Sequence, residues 1–304
     1  MVKERLKNFY NGKKVLVTGG AGFIGSALVA ALVELNADVY VVDDLSKGKL
    51  DNLSSCLPAI NFFCQKFGDE EFITKLKTYE FAIVFHLAAV SSVPAAEENQ
   101  ELCYQTNVEG FSKLLNTLAA QNSCTVVFSS SSAVYGEVKK ASCEKDTPKP
   151  ISAYATSKLA GESILEKFAR EYGHNSYALR YFNVFADDKP IIANSDVFSL
   201  FKQAFLEGKI IKIFGTGEQL RDYVPRSKVV LANLIMPLSK ISGFTVFNIA
   251  SGKSISLFTL IEKLQAELSL PKPPLTFMPA RQGDVKISKA DVSKFNNLLK
   301  SLNF

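Results

Sequence analysis

Three polar residues in the middle of the chain have types and spacing suited to acid–base chemistry on a hydroxyl group. In "SAYATSKLAGE", Tyr154 and Lys158 are four residues apart, so a helix would place them on the same face. An ammonium beside a phenol favours the phenolate, which makes Tyr154 a candidate general base near neutral pH. Ser131 of "FSSSSAVYG" follows a β-rich run and could hydrogen-bond to the same substrate oxygen. Taken separately, the Tyr154–Lys158 pair could be a surface pair on a helix and the serines a polar loop. The occurrence of both in one chain favours catalysis.

A glycine-rich turn near the N terminus predicts a dinucleotide site. The segment "VTGGAGFIGSALVAALVEL" contains GAGFIG, residues 20–25, which follows a β-rich run and opens a helical one. Backbone without side chains can approach a pyrophosphate, and the helix N terminus presents free N–H groups to it. Asp43 ends the next β-rich run, where its carboxylate would accept hydrogen bonds from ribose hydroxyls and repel a 2′-phosphate. The pattern predicts NAD as the cofactor rather than NADP, and its oxidised nicotinamide would further favour a phenolate at Tyr154.

An alternation of β-rich and helical runs supplies the elements that must position these residues. The β-rich runs are almost continuously apolar, which is typical of parallel strands covered by helices on both faces. They are "KKVLVTG", "DVYVVDD", "INFFCQ", "FAIVFHLAA", "TVVFSSS" and "SYALRYFNV". Helices are predicted over residues 24–35, 101–121 and 154–172. The predicted fold class is α/β, a Rossmann-type doubly wound parallel sheet with a smaller C-terminal substrate-binding domain.

The alternation becomes irregular in the C-terminal part of the chain, and this change predicts two domains. We expect an NAD-binding Rossmann domain over residues 1–180, to which residues 225–248 also belong. Residues 181–304 are expected to form a smaller mixed α/β domain that binds the substrate.

Composition excludes several other classes of protein. The 304 residues are 47% hydrophobic, enough for a sizeable core. Lys and Arg number 35 against 30 Asp and Glu, and Trp is absent, so nucleic acid is not an expected partner. The N terminus lacks the apolar core of a signal peptide, and no run reaches the roughly 18 apolar residues that span a bilayer, which predicts a cytoplasmic protein without membrane attachment. Five unpaired cysteines and two isolated histidines predict neither disulfides nor a metal site.

The order of the motifs resembles that of extended short-chain dehydrogenases/reductases, and especially their nucleotide-sugar epimerase/dehydratase branch. TGGAGFIGS, VVDDLSKG, HLAAVSSV, FSSSSAVYG, YATSK, RYFNV, RDYV and RQGDV occur in the family's order along nearly the whole chain. The resemblance implies catalytic roles for Ser131, Tyr154 and Lys158. The cofactor residues that it implies are Gly19, Gly22, Phe23, Ile24 and Gly25 at the phosphates, Asp43 at the ribose, Asp69 at the adenine, Ala88 along the cofactor channel, Lys158 at the nicotinamide ribose, and Tyr154.

The resemblance also implies a set of substrate residues: Ser92, Ser131, Asn183, Arg221, Arg281 and Ser288. Guanidinium forks suit phosphate oxygens, so Arg221 and Arg281 are expected to clamp a nucleotide diphosphate. Ser288 stands seven residues after Arg281, at the family position that walls the pocket beside the sugar C2 substituent. A bulky Tyr there excludes an N-acetyl group, whereas a small residue admits it. The segment around Ser92 is similar to that of UDP-N-acetylglucosamine 4-epimerases. The structural alternatives are an Arg221–Asp222 turn, a surface position for Arg281 and a buried Asn183 at a strand end.

Two residues beside Ser131 indicate which reaction to expect. Dehydratases of this family carry an Asp–Glu pair there and decarboxylases usually a Glu, but this chain has Ser132 and Ala133. Without a second acid or base, 4-epimerisation is the expected reaction: Tyr154 takes the proton of the 4-hydroxyl, hydride leaves C4 for NAD⁺, and the transient 4-ketose receives it back on its other face. We expect UDP-GlcNAc and UDP-GalNAc as substrates, and UDP-Glc and UDP-Gal as well. A 4,6-dehydratase or decarboxylase, or a non-catalytic NAD(H)-binding sensor or scaffold, is the alternative.

Two segments depart from the family pattern and put the exact sugar in doubt. Residues 185–187 are Phe-Ala-Asp where Tyr-Gly-Pro is usual, and "PRSKVV", residues 225–230, replaces an acidic segment. The resemblance further implies a homodimer. In it, the helices predicted over residues 101–121 and 154–172 of the two copies form a four-helix bundle.

Overall fold

The chain alternates strands and helices along most of its length. The computed structural model describes residues 2–187, 196–281 and 283–304. The strands are β1 (Lys14–Thr18), β2 (Asp38–Val42), β3 (Ile60–Phe63), β4 (Ile83–His86), β5 (Thr125–Ser131), β6 (Ser176–Tyr181), β7 (Asn183–Phe185), β8 (Ile211–Phe214), β9 (Leu220–Pro225), β10 (Phe244–Ile249), β11 (Ser254–Ile255), β12 (Leu275–Met278) and β13 (Ile287–Ser288).

The helices agree closely with the predicted ones where the sequence pattern is strong. They are α1 (Val2–Tyr10), α2 (Phe23–Glu34), α3 (Glu70–Leu76), α4 (Val93–Glu98), α5 (Gln100–Tyr104), α6 (Phe111–Leu118), α7 (Ala153–Tyr172), α8 (Val197–Glu207), α9 (Arg226–Ile235), α10 (Leu257–Leu268) and α11 (Ser293–Ser301). Short 3₁₀ turns cover Leu50–Leu53, Leu57–Ala59, Ser132–Tyr135 and Met236–Leu238. The helix predicted over 101–121 is instead α5 and α6 joined by a π-helical segment, Gln105–Gly110.

A seven-stranded sheet forms the centre of the part of the chain that the structure describes. Its order is β10-β6-β5-β4-β1-β2-β3, and every pairing is parallel. Strands β4 and β6 are buried along their whole length, which explains their continuous apolar sequences. This arrangement confirms the predicted Rossmann-type α/β fold. The strand order reverses between β1 and β4, and such a switch point opens a ligand crevice at the carboxyl ends of the strands.

Helices cover both faces of this sheet. On one face, Leu28 of α2, Val229 of α9 and Phe295 of α11 belong to one apolar cluster. On the other, Phe111 of α6 and Leu165 of α7 belong to a second. The sheet is therefore buried between two layers of helices, which leaves its strand ends as the accessible polar surface.

The strands after β6 mostly form small sheets beside the central one. Strand β9 pairs with β7, β11 and β13, and β12 pairs with β8. Strand β10 instead joins the edge of the central sheet next to β6. A third apolar cluster packs α8 and α10 against this region. The small sheets place β9 and β13 close to the end of β5. Within the described ranges, no helix has both the length and the apolarity to cross a membrane.

Candidate functional site

The turn between β1 and α2 forms a cradle of backbone N–H groups. Gly19 has φ +70°, and a Cβ there would lie 2.6 Å from the Ala88 backbone nitrogen. A Cβ at Gly25 would lie 2.1 Å from the Gly19 carbonyl oxygen. Helix α2 begins at Phe23 after Gly22, whose cap position offers no side-chain acceptor to the first-turn N–H groups. The predicted phosphate residues thus form a turn that excludes side chains and presents N–H donors, which fits the pyrophosphate of a dinucleotide.

Asp43 lies beside this turn at the end of β2. Its Oδ2 accepts a hydrogen bond from the Ala21 N–H at 2.9 Å, and its Oδ1 accepts one from the Leu45 N–H at 2.9 Å. Burial raises the pKa of the Asp43 carboxyl, and the two backbone donors oppose that shift. The carboxylate is held next to the glycine turn, where a ribose would follow the pyrophosphate. Asp69, predicted at the adenine, is exposed at the start of α3.

The predicted catalytic residues lie together at the end of β5. Tyr154 and Lys158 occupy the first turns of α7, whose N terminus is capped by Ser152. The Lys158 Nζ donates to the Ser129 carbonyl oxygen at 2.8 Å and lies 5.9 Å from the centre of the Tyr154 ring. Ser131 ends β5, and its hydroxyl is near enough to Tyr154 to act on the pKa of that phenol in the lowering direction. The structure therefore brings all three predicted side chains to one place.

The protonation of this group follows from its burial. Burial raises the pKa of Tyr154 to about 12, although the Ser131 hydroxyl acts in the opposite direction. Burial also lowers the pKa of Lys158 to about 8. The chain's own groups therefore leave Tyr154 as a neutral phenol at neutral pH. The expected phenolate needs further positive charge beside the ring, which an oxidised nicotinamide supplies when bound.

A buried ion pair fixes α7 against the central sheet. Glu162 accepts hydrogen bonds from the Arg180 Nε at 2.9 Å and Nη2 at 2.6 Å, and from the Ser130 hydroxyl at 2.5 Å. Glu162 follows Lys158 by one helical turn and Tyr154 by two, so the three share a face of α7. The sequence analysis missed Glu162 and Arg180. Two features of the sequence could have indicated them. Glu162 continues the four-residue spacing of Tyr154 and Lys158, and Arg180 is a charged residue inside the apolar run "SYALRYFNV".

A cavity of about 270 Å³ opens beside Tyr154. Five predicted site residues line it: Ser131, Tyr154, Asn183, Arg221 and Ser288. The parallel pairing of β13 with β9 places Ser288 opposite Arg221. The Arg221 guanidinium donates to the Leu220 carbonyl at 2.8 Å and to the Asp284 carboxylate. The Asn183 amide donates to the Asp222 carbonyl at 3.2 Å.

Two predicted substrate residues lie outside this lining. Ser92 is exposed and caps α4, where its hydroxyl oxygen accepts from the Ala95 N–H at 3.3 Å. Arg281 is exposed, and its guanidinium carbon lies 3.9 Å from the centre of the Phe214 ring. Ser92 thus caps a helix and Arg281 packs on an aromatic ring, and neither side chain lines the cavity.

His86 is buried at the end of β4, as a packed histidine would be. Its Nδ1 is hydrogen-bonded to the Thr18 hydroxyl at 2.8 Å, and its ring stacks on Phe111 with 4.3 Å between centroids. Burial lowers the pKa of His86 well below its ordinary value, so the imidazole is neutral. Among the residues that the structure describes, no group of three or more His, Cys, Asp or Glu side chains could hold a metal ion.

Known proteins match this chain over nearly its whole length. The family model described as "NAD dependent epimerase/dehydratase family" matches residues 15–250. A putative UDP-glucose 4-epimerase of Methanocaldococcus jannaschii is 32% identical over 286 residues, which cover 93% of this chain and 92% of the relative.

Solved structures with the same architecture include two UDP-sugar epimerases. The UDP-glucose 4-epimerase of Thermotoga maritima, solved with UDP-glucose, has a TM-score of 0.86 and 37% identity, and the match covers 93% of this chain and 91% of that one. The UDP-N-acetylglucosamine 4-epimerase of Methanobrevibacter ruminantium M1, solved with UDP-N-acetylmuramic acid, has a TM-score of 0.85 and 35% identity, with 95% and 92% covered.

The Glu162–Arg180 pair yields a stability prediction. Glu162→Gln leaves the buried Arg180 cation without its carboxylate, so we expect the free energy of unfolding to fall by about 3 kcal/mol. Glu166→Gln is the matched control, because Glu166 lies one turn further along α7 and is exposed, and we expect a change within about 0.5 kcal/mol. Urea denaturation measures both. Equal stability of the two variants would contradict the anchoring role of Glu162.

Proposed function

We propose a substrate pair for this chain, which belongs to the NAD-dependent epimerase/dehydratase family and is an NAD-dependent UDP-sugar 4-epimerase. The pair is UDP-GlcNAc and UDP-GalNAc, with UDP-Glc and UDP-Gal accepted as well. Ser288 is the observation that carries this proposal. It places a small side chain in the cavity wall opposite Arg221, so an N-acetyl group at the sugar C2 would meet no bulky ring there.

The catalytic roles follow from the positions at the end of β5. When bound, NAD supplies the acceptor and donor of hydride at the sugar C4. Tyr154 removes the proton of the 4-hydroxyl and returns it in the second half of the reaction. Ser131, which lines the cavity together with Tyr154, donates to the same C4 oxygen and stabilises its developing charge. Lys158, anchored on the Ser129 carbonyl, keeps its ammonium beside the phenol and would hold the nicotinamide ribose.

The cavity favours epimerisation over elimination or decarboxylation. Ser132 and Ala133 line it beside Ser131, at the place where the lyases of the family carry acids. Within its described lining, Asp284 is the one carboxylate, and that side chain is ion-paired with Arg221. A lyase would need a free acid and base of its own, and the described lining of the cavity supplies neither. Ser131 and Tyr154 line the cavity, and the buried Lys158 ammonium lies 5.9 Å from the centre of the Tyr154 ring. This grouping argues against a non-catalytic role.

Arg221 is the proposed anchor of the UDP diphosphate. It is the only basic side chain in the described cavity lining, and it is 8% exposed. Arg221 is already ion-paired with Asp284, and the described lining contains no second cation that could bind a sugar carboxylate. The cavity therefore favours a neutral sugar over a uronic acid. We retain Arg281 as a second diphosphate contact, which requires its guanidinium to leave the Phe214 ring. Ser92 and Asn183 complete the proposed substrate contacts.

We also propose that two copies of the chain associate through α7 and the helical segment of residues 100–118, which consists of α5, the π-helical segment and α6. Four large apolar side chains on and beside these helices are exposed: Leu102, Tyr104, Ile151 and Tyr172. Tyr104 and Ile151 line a groove of about 490 Å³ that residues of both helices form, whereas Leu102 and Tyr172 are exposed outside it. A second copy that presents the same two helices would bury these side chains in a four-helix bundle.

We also propose a cytoplasmic location for the protein.

Substrate preference is tested by the size of residue 288. We expect the purified protein, without added cofactor, to interconvert UDP-GlcNAc and UDP-GalNAc, and UDP-Glc and UDP-Gal. Ser288→Tyr should lower kcat/KM for the acetylated pair by about 100-fold and for the plain pair by less than about threefold, because only the former brings an N-acetyl group to the wall. Ser288→Ala is the control, with both activities unchanged. Equal losses in the Tyr variant would contradict the assignment, as would inactivity of the parent on all four sugars; proton NMR of the products measures each rate.

Association is tested by placing a charge in the proposed interface. Tyr104→Glu should convert the dimer to a monomer in sedimentation velocity, because a buried unpaired carboxylate opposes association. Leu206→Glu is the control, because Leu206 is an exposed apolar residue of α8 on another part of the surface. A parent protein that sediments as a monomer, or a dimer unaffected by Tyr104→Glu, would contradict the proposed interface.

A further inference from the structure

The two segments that depart from the family pattern contact each other. The Asp187 carboxylate accepts hydrogen bonds from the Ser227 backbone N–H at 3.1 Å and from the Ser227 hydroxyl. Ser227 is the second residue of α9, whose preceding residue, Pro225, is paired with Phe185 of β7. Asp187 thus accepts from a first-turn N–H of α9 and acts as its N-terminal cap, since Pro225 offers no side-chain acceptor. The departures form one structural unit.

This unit reaches the phosphate-binding turn through Arg226, the first residue of α9. Arg226 is 2% exposed, and its Nη1 donates to the Phe23 carbonyl oxygen at 2.8 Å. Its guanidinium carbon also lies 4.8 Å from the centre of the Phe23 ring. Phe23 is the first residue of α2, so Arg226 contacts both the main chain and the side chain of the residue that opens the N–H cradle.

We propose that Arg226 is a positioning residue for the bound dinucleotide, and that Asp187 holds Arg226 in place by capping α9. The glycines that let the turn approach a pyrophosphate also leave its backbone with little conformational restraint of its own. A contact from outside the turn must supply that restraint if the N–H groups are to stay aimed at the phosphates. Arg226 supplies it at two points of Phe23. NAD affinity is thereby linked to the segment that follows the cavity residue Asn183.

Binding of NAD to the apoprotein tests this inference independently of any sugar. Arg226→Met removes the donor and the cation but keeps an unbranched stem, and we expect NAD to bind about tenfold more weakly. Lys228→Met is the matched control, because Lys228 lies two residues further along α9 with its ammonium 6.0 Å from the Phe295 ring. We expect this control to bind NAD as the parent does. Arg226→Lys, which keeps a donor and a charge, should restore most of the affinity.

UDP affinity and the thermal midpoint of each apoprotein separate positioning from general damage. We expect UDP to bind the Arg226→Met protein as it binds the parent, because the nucleotide site of the cavity is not altered. Asp187→Ala should weaken NAD binding by about threefold through the lost cap. A folded Arg226→Met protein with parental NAD affinity overturns the proposal, as does an equal loss in the Lys228 control. If Arg226→Met fails to fold, parental NAD affinity in Asp187→Ala overturns it instead.

Discussion

The contact between the end of β5 and one face of α7 is the constraint on which the site depends. The buried Glu162–Arg180 pair ties the helix to the sheet, and neither charge could remain buried without the other. One turn earlier, the Ser129 carbonyl fixes the Lys158 ammonium. These two anchors determine where Tyr154 stands relative to the cavity. The proposed catalytic residues are thus positioned by a strand of the central sheet and a helix, and not by loops, which holds them in a single geometry.

The fold class was predictable because buried parallel strands leave a continuous apolar signal. Helices α2 and α7 also agree with prediction. The glycine motif opens α2, which continues as an apolar run rich in Ala and Leu, and the Tyr154–Lys158 spacing marks the start of α7. The π-helical segment Gln105–Gly110 was not predicted, because its hydrogen bonds shift by one residue without changing the apolar pattern. Residues 225–248 were assigned to the Rossmann domain, but no position in the sheet was predicted for them. The pairing of β10 with β6 depends on contacts across about 70 residues of chain, which no local pattern records.

The site was predictable in residue type more than in side-chain direction. Ser131, Asn183 and Ser288 line one cavity although they come from three separate motifs, because β5 and β13 end there and β7 begins there. Arg281 was expected beside Arg221 but rests on an aromatic ring, a contact that no spacing rule predicts. The Glu162–Arg180 pair was missed because a glutamate on a helix is ordinarily exposed to solvent. Motifs indicate chemistry, whereas packing decides which face each side chain takes.

The central claim is that the sugar is oxidised and reduced at C4 by a dinucleotide held over the glycine turn, with Tyr154 moving only the hydroxyl proton. UDP-GlcNAc labelled with deuterium at C4 tests it most directly. Mass spectrometry of the UDP-GalNAc formed in ordinary water should find the C4 deuterium retained, because that hydrogen never exchanges with solvent. Loss of the label to water would contradict the account, since the hydrogen would then have left C4 as a proton.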